Sequence, residues 1–464
     1  MSDPLGADAS AFAIAAAVRN GTHTAAAVVE SALARIAREN PAINAFTAVA
    51  FERARSKAVA IDAARSNGAT MGPLAGVPFG VKAMIDVAGL TTTAGSALHR
   101  SDPPATRDAG VVRRLEAMGG ICIGPMNMDE FGMGGTTQNA TFGCTRNPHD
   151  PSRTPGGSSG GSAAGVAAGF VPIALGADGL GSIRLPASLC GVFGLRPTQG
   201  VVAREGPLGA SGTISIVGPM ARCAHDIALA QDALRGSANT LGRLFASPVD
   251  IADLRVVRAS GYFAERIDHD AADAVERVSR ALDVKCVVDF PEPQRARAAA
   301  MLVHASESAV GKIGALRSRL DDFDPLTRDR FLAHALLPAQ WYLHAQRFRQ
   351  WHAAEVVRLL DPLDVLLVPS TPCVAPMIGT ATIMLDGNEM PTGPALGWFT
   401  QPLAGTGCPV LTVPIARRGQ LPIGVQLLAH PGREDLLLRV ARFLEQAGVV
   451  AAPVASRGSH AVHG

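Results

Sequence analysis

Residues 154–198 read TPGGSSGGSAAGVAAGFVPIALGADGLGSIRLPASLCGVFGLRPT, a composition unlike that of the rest of the chain. The stretch holds eleven glycines among small apolar residues, and two of its serines, Ser158 and Ser182, lie in glycine-rich segments 24 residues apart. Glycine allows a backbone to come close to another group, so these segments suit a site where main-chain N–H groups approach a reacting carbonyl. We therefore expect the functional site of the chain to include this stretch.

Three other interpretations of this stretch start from the residues alone. A phosphate-binding loop would need GxxxxGK[ST], which is absent. The nucleophile elbow of an α/β-hydrolase would need GxSxG, whereas Ile183 and Arg184 follow Ser182. The glycines can also serve tight packing alone, with the serines as turn residues. The hydrolase interpretation fails, the missing motif disfavours phosphate binding, and the packing interpretation stays open at this point.

The flanking sequence alternates between helical and extended hydrophobic patterns. Before the glycine-rich stretch, the pattern predicts helices over 11–19, 25–38 and 109–118, and strands over 75–87 and 121–124. After it, the pattern predicts strands over 254–257, 286–290, 364–369 and 410–414, and helices over 271–282, 293–316, 329–360 and 433–447. This alternation predicts an α/β layer architecture.

The composition is that of a globular protein with a large core. The chain has 464 residues, 47% of them hydrophobic, with 42 Lys and Arg against 40 Asp and Glu. The net charge of +2 supplies no surplus to attract phosphates, so no direct nucleic-acid partner is expected. The length admits two or three domains, although large α/β enzymes of this size also form one unit.

Cysteine and histidine patterns bear on the compartment and on metals. The seven cysteines form no CxxC pair and the twelve histidines include no HExxH motif, so neither disulfides nor a metal or cofactor is expected. A reducing, cytoplasmic location follows as an expectation, since the first ten residues also lack the basic segment of a secretory signal. The longest apolar run, 162–176, is shorter than the ~20 residues that cross a membrane.

Several motifs together resemble the amidase signature family. They are GGSSGGS at 156–162, DGLGSIRLPA at 178–187, CGVFGLRPT at 190–198 and GVPFGVK at 76–82, and the similarity continues through 127–131, 145–148 and 422–426. The resemblance implies an α/β fold with a large mixed β-sheet covered by helices on both faces. It also implies one amidase domain over residues 1–455, with a signature core at about 75–200. The small and polar residues 456–464 predict a loose tail.

The resemblance assigns a relay to three residues. Ser182 matches the family's nucleophile, Ser158 the bridging serine that follows a cis peptide bond, and Lys82 the base that accepts its proton. A serine hydroxyl is a weak nucleophile until a neighbour takes its proton, and lysine does this near neutral pH only if burial lowers its pKa. The chain has four lysines against 38 arginines, so a lysine after an apolar run indicates a need that arginine cannot meet.

The same resemblance assigns an oxyanion hole to backbone N–H groups, those of Gly179, Leu180, Gly181 and Ser182. This loop departs from the family's commoner Asp-Thr-Gly-Gly-Ser, because Gly179 and Leu180 replace Thr and Gly. If the second of these positions requires a positive φ, Leu180 is strained by about 1–2 kcal/mol. Ala83 replaces an aspartate that often follows the family lysine. Neither departure touches the relay.

Later segments are similar to the branch of the family that hydrolyses 1-carboxybiuret. The similarity rests on residues 127–150, 322–331 and 340–349. It implies a small anionic ureido or amide substrate, with 1-carboxybiuret as the first choice and ammonia as a product. Arg330 aligns with an arginine that reaches the substrate carboxylate in the glutaminase subunits of amidotransferases. The alternative role for Arg330 is that of a solvated helix arginine.

The resemblance also bears on partners. It implies a small helical companion subunit, with a homodimer or a heterotetramer as the assembly. Trp341, Tyr342, Trp351 and Trp398 can serve as interface anchors, but for most of them, and for Phe348, the expected role is packing. The alternatives to a 1-carboxybiuret hydrolase are a glutaminase subunit of a tRNA amidotransferase, an oxalurate-type amidase and a non-catalytic scaffold subunit.

Overall fold

The structure is a computed structural model that describes residues 3–202, 212–237, 240–246 and 251–455. The predicted tail at 456–464 lies outside the described residues.

A ten-stranded mixed sheet forms the centre of the described chain. Its strands are β1 Pro78–Lys82, β2 Ile121–Met126, β3 Ile173–Asp178, β4 Phe193–Arg196, β5 Ile216–Ala221, β6 Val256–Ala259, β7 Val287–Val288, β8 Val365–Pro369, β11 Val410–Pro414 and β12 Gly424–Leu428. Two further strands, β9 Thr382–Leu385 and β10 Asn388–Pro391, pair as a separate hairpin. The strand order is β2-β1-β3-β5-β4-β11-β12-β8-β6-β7. Parallel pairs lie at both ends of the sheet and antiparallel pairs in its middle.

Fifteen α-helices surround this sheet in the described ranges. They are α1 Ala11–Asn20, α2 Ala25–Ile43, α3 Phe51–Ser66, α4 Gly110–Ala117, α5 Gly160–Ala167, α6 Arg184–Cys190, α7 Ala224–Arg235, α8 Thr240–Arg243, α9 His269–Ala281, α10 Pro293–Ala309, α11 Ile313–Ser318, α12 Pro325–Ala335, α13 Ala339–Leu360, α14 Thr392–Leu396 and α15 Glu434–Gln446. None of them combines the length and apolar character that a membrane crossing requires.

The helices cover both faces of the sheet. Strands β1, β2, β3, β5, β8, β11 and β12 are buried at every residue, and successive side chains of a strand point to opposite faces. One group of helices, α5 and α6, packs on the strands that carry the glycine-rich stretch. A second group, α7 and α15, packs on strands β4, β5 and β11. The predicted α/β fold with a large mixed sheet is therefore confirmed.

Some predicted boundaries are wrong, for local reasons. The predicted helix 293–316 is two helices, because Gly311 adopts a positive φ of 78° between α10 and α11. The predicted helix 329–360 likewise divides into α12 and α13 at Pro338, which caps the second helix. The predicted strand 75–87 is confined to β1, since the chain turns after Lys82.

Helix α10 packs against both α12 and α13. The expected packing role is wrong for two aromatic residues of α13, since Trp341 is 51% exposed and Trp351 is 45% exposed. Trp398, by contrast, stacks on Tyr262 with ring centroids 5.1 Å apart. The exposed face of α13 therefore presents two tryptophan side chains to solvent.

Candidate active site

Three predicted site residues meet at one edge of the sheet. Strands β1 and β3 are parallel neighbours, so their carboxyl ends lie at the same edge. Lys82 is the last residue of β1, and Ser182 lies in the loop between β3 and α6. Ser158 lies just before α5, which packs on both strands. The topology therefore brings together residues that are up to 100 positions apart in the chain.

Lys82 and Ser158 are in direct contact. Lys82 Nζ lies 2.7 Å from Ser158 Oγ and 3.4 Å from the carbonyl oxygen of Ala177. The lysine is 1% exposed, and burial lowers its pKa to about 7, against the opposing charges of Asp129 and Asp178. Near neutral pH, a large fraction of this amine is therefore uncharged and able to accept a proton.

The two serine loops lie side by side. The peptide bond between Gly157 and Ser158 is cis, as the resemblance implied. The backbone N–H of Ser159 donates to the carbonyl of Ser182 at 3.2 Å. Ser182 is half-buried and lines a cavity together with Gly157. The structure thus assembles the predicted trio, whose catalytic roles stay predictions.

The four backbone N–H groups of the predicted oxyanion hole are not all free to bind a substrate. The N–H of Gly181 donates to Asp178 Oδ1 at 2.8 Å, so this group is already engaged. The N–H groups of Gly179, Leu180 and Ser182 have no acceptor among the described residues. The positive φ falls on Gly181, at 125°, and Leu180 lies outside the left-handed region. The strain considered for Leu180 is therefore absent.

Asp178 holds this loop in place through two buried arginines. Its carboxylate oxygens lie 2.9 Å from Arg184 Nε and 3.2 Å from Arg196 Nη1, and all three side chains are at most 1% exposed. Burial alone would raise the pKa of Asp178, but the two guanidinium charges outweigh burial and hold it well below its usual range. Arg184 Nη1 also donates to the carbonyl of Thr400 at 3.0 Å and to Gln426 Oε1 at 2.7 Å.

Ser182 opens onto a cavity of about 280 Å³. Most of the lining is glycine or apolar, and its polar side chains are Ser182, His304, Arg330, His334 and Gln401. No carboxylate lines this cavity among the described residues. Arg330 is exposed and donates to the carbonyl of Met133 at 3.3 Å. The predicted substrate-binding arginine thus borders the same cavity as the predicted nucleophile.

Three of the groups at this site carried no predicted role. Asp129 Oδ1 accepts from the N–H of Thr137 at 2.9 Å, while Oδ2 is buried without a hydrogen-bond partner among the described residues. Burial raises the pKa of Asp129 to about 6. Asp129 belongs to segment 127–131, which resembles the amidase signature family, but the sequence of that segment does not show where the carboxylate points. His304 and His334 carry no local signal, because only packing of α10 and α12 places them here.

Metal ligands do not gather in the described part of the chain, where no group of three or more His, Cys, Asp or Glu side chains is placed to hold an ion. The seven cysteines are all free thiols.

Comparison with known proteins agrees with this geometry. The Amidase family profile matches residues 27–438. The chain is 43% identical to AtzE of Pseudomonas sp. (strain ADP), a 1-carboxybiuret hydrolase subunit, over 93% of this chain and 97% of that protein. It is 34% identical to the glutamyl-tRNA(Gln) amidotransferase A subunit of Thermus thermophilus, over 94% of this chain and 97% of that protein.

Solved structures give the same result. One is described as an unexpected vestigial protein complex that reveals the evolutionary origins of an s-triazine catabolic enzyme; its TM-score is 0.93 at 42% identity, over 96% of this chain and 100% of that one. The 6-aminohexanoate cyclic dimer hydrolase complexed with substrate has a TM-score of 0.82 at 29% identity, over 96% and 98%. The profile match over most of the chain and these full-length likenesses show that the protein belongs to the amidase signature family of amidohydrolases.

Proposed function

We propose that the protein hydrolyses a small anionic amide through an acyl-enzyme on Ser182. Lys82 takes the proton of Ser158 Oγ, and Ser158 in turn takes that of Ser182, whose oxygen bonds to the substrate carbonyl carbon. The carbon–nitrogen bond then breaks, and ammonia leaves with the relayed proton. Water cleaves the ester by the same relay, which restores the serine and releases a carboxylate. The 2.7 Å contact between Lys82 and Ser158 supports the first transfer.

The oxyanion formed in these steps needs hydrogen-bond donors. We assign this role to the N–H groups of Gly179, Leu180 and Ser182, which have no acceptor among the described residues. The N–H of Gly181 is better described as part of the scaffold, because Asp178 accepts from it at 2.8 Å. A donor of this kind contributes roughly 3 kcal/mol to stabilisation of the transition state.

One observation carries the choice of an anionic substrate. The cavity that contains Ser182 is bordered by Arg330, and no carboxylate lines it among the described residues. A substrate carboxylate therefore meets a cation there and no like charge. Among small anionic amides we propose 1-carboxybiuret, which is supported by the 43% identity to AtzE over nearly the whole length of both chains.

Glutamine is the second candidate substrate. The chain is 34% identical to the amidotransferase A subunit of Thermus thermophilus. Glutamine also carries a carboxylate and a terminal amide, but its α-amino group adds a positive charge. The cavity lining that the structure describes supplies no carboxylate to receive that charge, and this difference favours the ureido acid.

We further propose that the chain works with a small companion protein, as well as pairing with itself. The relative AtzE is named as a subunit, and the similar structure with a TM-score of 0.93 is described as a protein complex. Exposed Trp341 and Trp351 on α13 give the companion an apolar surface of the kind found at interfaces.

The proposal is tested by replacing the nucleophile. Ser182→Ala should abolish both covalent labelling by a fluorophosphonate and ammonia release from 1-carboxybiuret, because no other oxygen forms the acyl-enzyme. Ser162→Ala is the matched control, since Ser162 lies buried in α5 and its hydroxyl donates to the carbonyl of Leu175. Labelling that survives in the Ser182→Ala variant would refute the assignment of Ser182 as the nucleophile.

The wild-type chain distinguishes the alternative functions. Ammonia released from glutamine in preference to 1-carboxybiuret would select the second candidate, and labelling without turnover of any amide would indicate a non-catalytic scaffold subunit.

A further inference from the structure

One wall of the cavity is a histidine that packs against the oxyanion loop. His304 lies on α10, is 9% exposed and lines the cavity with Ser182. A Cβ added to Gly179 would lie 3.1 Å from His304 Nδ1 and 2.9 Å from Ser215 Oγ. Both distances are shorter than ordinary contacts, so the imidazole occupies space that any side chain at position 179 would need.

Position 179 is a glycine because His304 and Ser215 occupy the space that a side chain would need. The φ of Gly179 lies outside the left-handed region, so its backbone conformation is open to any residue. Beside the loop, the cavity is therefore bordered by a side chain of α10, the imidazole of His304.

The imidazole is uncharged at neutral pH. Burial lowers the pKa of His304 to about 4, and the nearby charges of His334, Lys82 and Lys312 act in the same direction. A neutral imidazole has one nitrogen that donates a hydrogen bond and one that accepts. The ring therefore contributes directional polarity to a wall whose other residues are largely glycine and apolar, while charge comes from Arg330.

We propose that His304 is a specificity-determining residue that hydrogen-bonds the middle of the substrate, between its carboxylate and the reacting amide. This inference rests on the proposed function, in which Ser182 attacks the terminal carbonyl and Arg330 binds the carboxylate. In 1-carboxybiuret, the connecting atoms are N–H, C=O and N–H, which a neutral imidazole pairs with. In glutaramate, three methylenes connect the same two ends and offer no hydrogen bond.

The test compares these two substrates of equal length. For His304→Ala, kcat/KM for 1-carboxybiuret should fall about tenfold or more, the usual effect of losing one hydrogen bond to a buried polar group. For glutaramate, kcat/KM should stay within about threefold of wild type, because no hydrogen bond is lost there. His304→Gln, whose amide both donates and accepts, should recover part of the preference. His352→Ala is the control, since His352 is another buried histidine and lies outside the cavity.

A second variant moves the ring without removing it. Gly179→Ala should also reduce the preference for 1-carboxybiuret, because its Cβ displaces the imidazole. In the His304→Ala background, it should not reduce further the ratio of kcat/KM for 1-carboxybiuret to kcat/KM for glutaramate.

An unchanged preference in His304→Ala overturns the inference and leaves the proposed function intact. Equal losses on both substrates overturn it as well, since they indicate a structural role. A wild-type chain that hydrolyses glutaramate without preference for 1-carboxybiuret overturns the inference and the substrate assignment, but leaves the amidase mechanism. A wild-type chain that hydrolyses neither substrate overturns the proposed function together with the inference.

Discussion

At Lys82, burial and two neighbouring carboxylates act in opposite directions. Burial lowers the pKa of the ammonium to about 7, whereas the charges of Asp129 and Asp178 raise it. The proposed relay requires the neutral amine, and the neutral fraction grows as pH rises through the pKa. We therefore expect kcat/KM to increase with pH, to reach half of its maximum near pH 7 and to level off about one pH unit higher, in a pH profile measured with ammonia detection.

Close to Lys82, Asp129 also titrates in this range, because burial raises its pKa to about 6. Asp129→Asn separates the two contributions, because the rise should persist when that carboxylate is removed. Its midpoint should move below pH 7, since the charge of Asp129 raises the pKa of Lys82. A flat profile in both proteins would contradict the lysine base. Lys82→Arg should be inactive at every pH, since arginine keeps its proton.

Arg330 is the residue for which sequence and structure together allow a test of substrate charge. Arg330→Ala should lower kcat/KM for an anionic amide roughly 10- to 150-fold, the range for a hydrogen bond to a charged group, and should leave a neutral amide of similar size unaffected. Arg328→Ala is the control, because Arg328 lies on the same helix and pairs with Asp329 outside the cavity. Equal losses on charged and neutral amides would show that Arg330 supports the fold and does not bind the substrate.

At the scale of elements, the loop between β3 and α6 depends on one carboxylate. Asp178→Asn would leave Arg184 and Arg196 buried without a countercharge, and breaking a buried ion pair in this way costs about 3–5 kcal/mol. We expect that loss in the free energy of unfolding, measured in urea. Asp435→Asn, which breaks an exposed pair with Arg433, should cost at most about 1 kcal/mol. Equal stability of the two variants would refute the role given to Asp178.

Elements with a clear hydrophobic period were predictable, and their relations in space were not. Strand β8, strand β11 and helix α9 lie within a few residues of their predicted positions, because local spacing determines them. The proximity of Lys82 to Ser158 was predictable from motifs. The contact of His304 with Gly179 was not, since it arises from packing between residues 125 positions apart. Pro338 was a signal of a helix boundary that the periodicity of α12 and α13 obscured.

At the scale of the whole molecule, one sheet joins residues from both halves of the chain. Strands β1 and β3 belong to the predicted signature core, whereas β11, β12 and β8 come from the last hundred residues. We therefore propose that residues 1–455 form one domain, as the resemblance implied.

The exposed face of α13 gives a prediction about assembly. The chain produced alone should self-associate through Trp341 and Trp351, and the double substitution of both by glutamate should reduce that association in light scattering. Replacing Trp398, which stacks on Tyr262, should instead lower stability. A wild-type chain that is monodisperse and fully active without a companion would contradict the proposed dependence on a partner.

The anchors of the nucleophile loop have a consequence for the timing of activity during synthesis. Arg184 is held by Thr400 and Gln426, which are translated 216 and 242 residues after it. At about 5–20 residues per second, the ribosome needs roughly 10–50 s to supply them. A nascent chain that already contains Lys82, Ser158 and Ser182 therefore lacks the contacts that fix the loop beside its nucleophile. We expect hydrolysis to begin only when the C-terminal strands have left the ribosome, so that unfinished chains are inert.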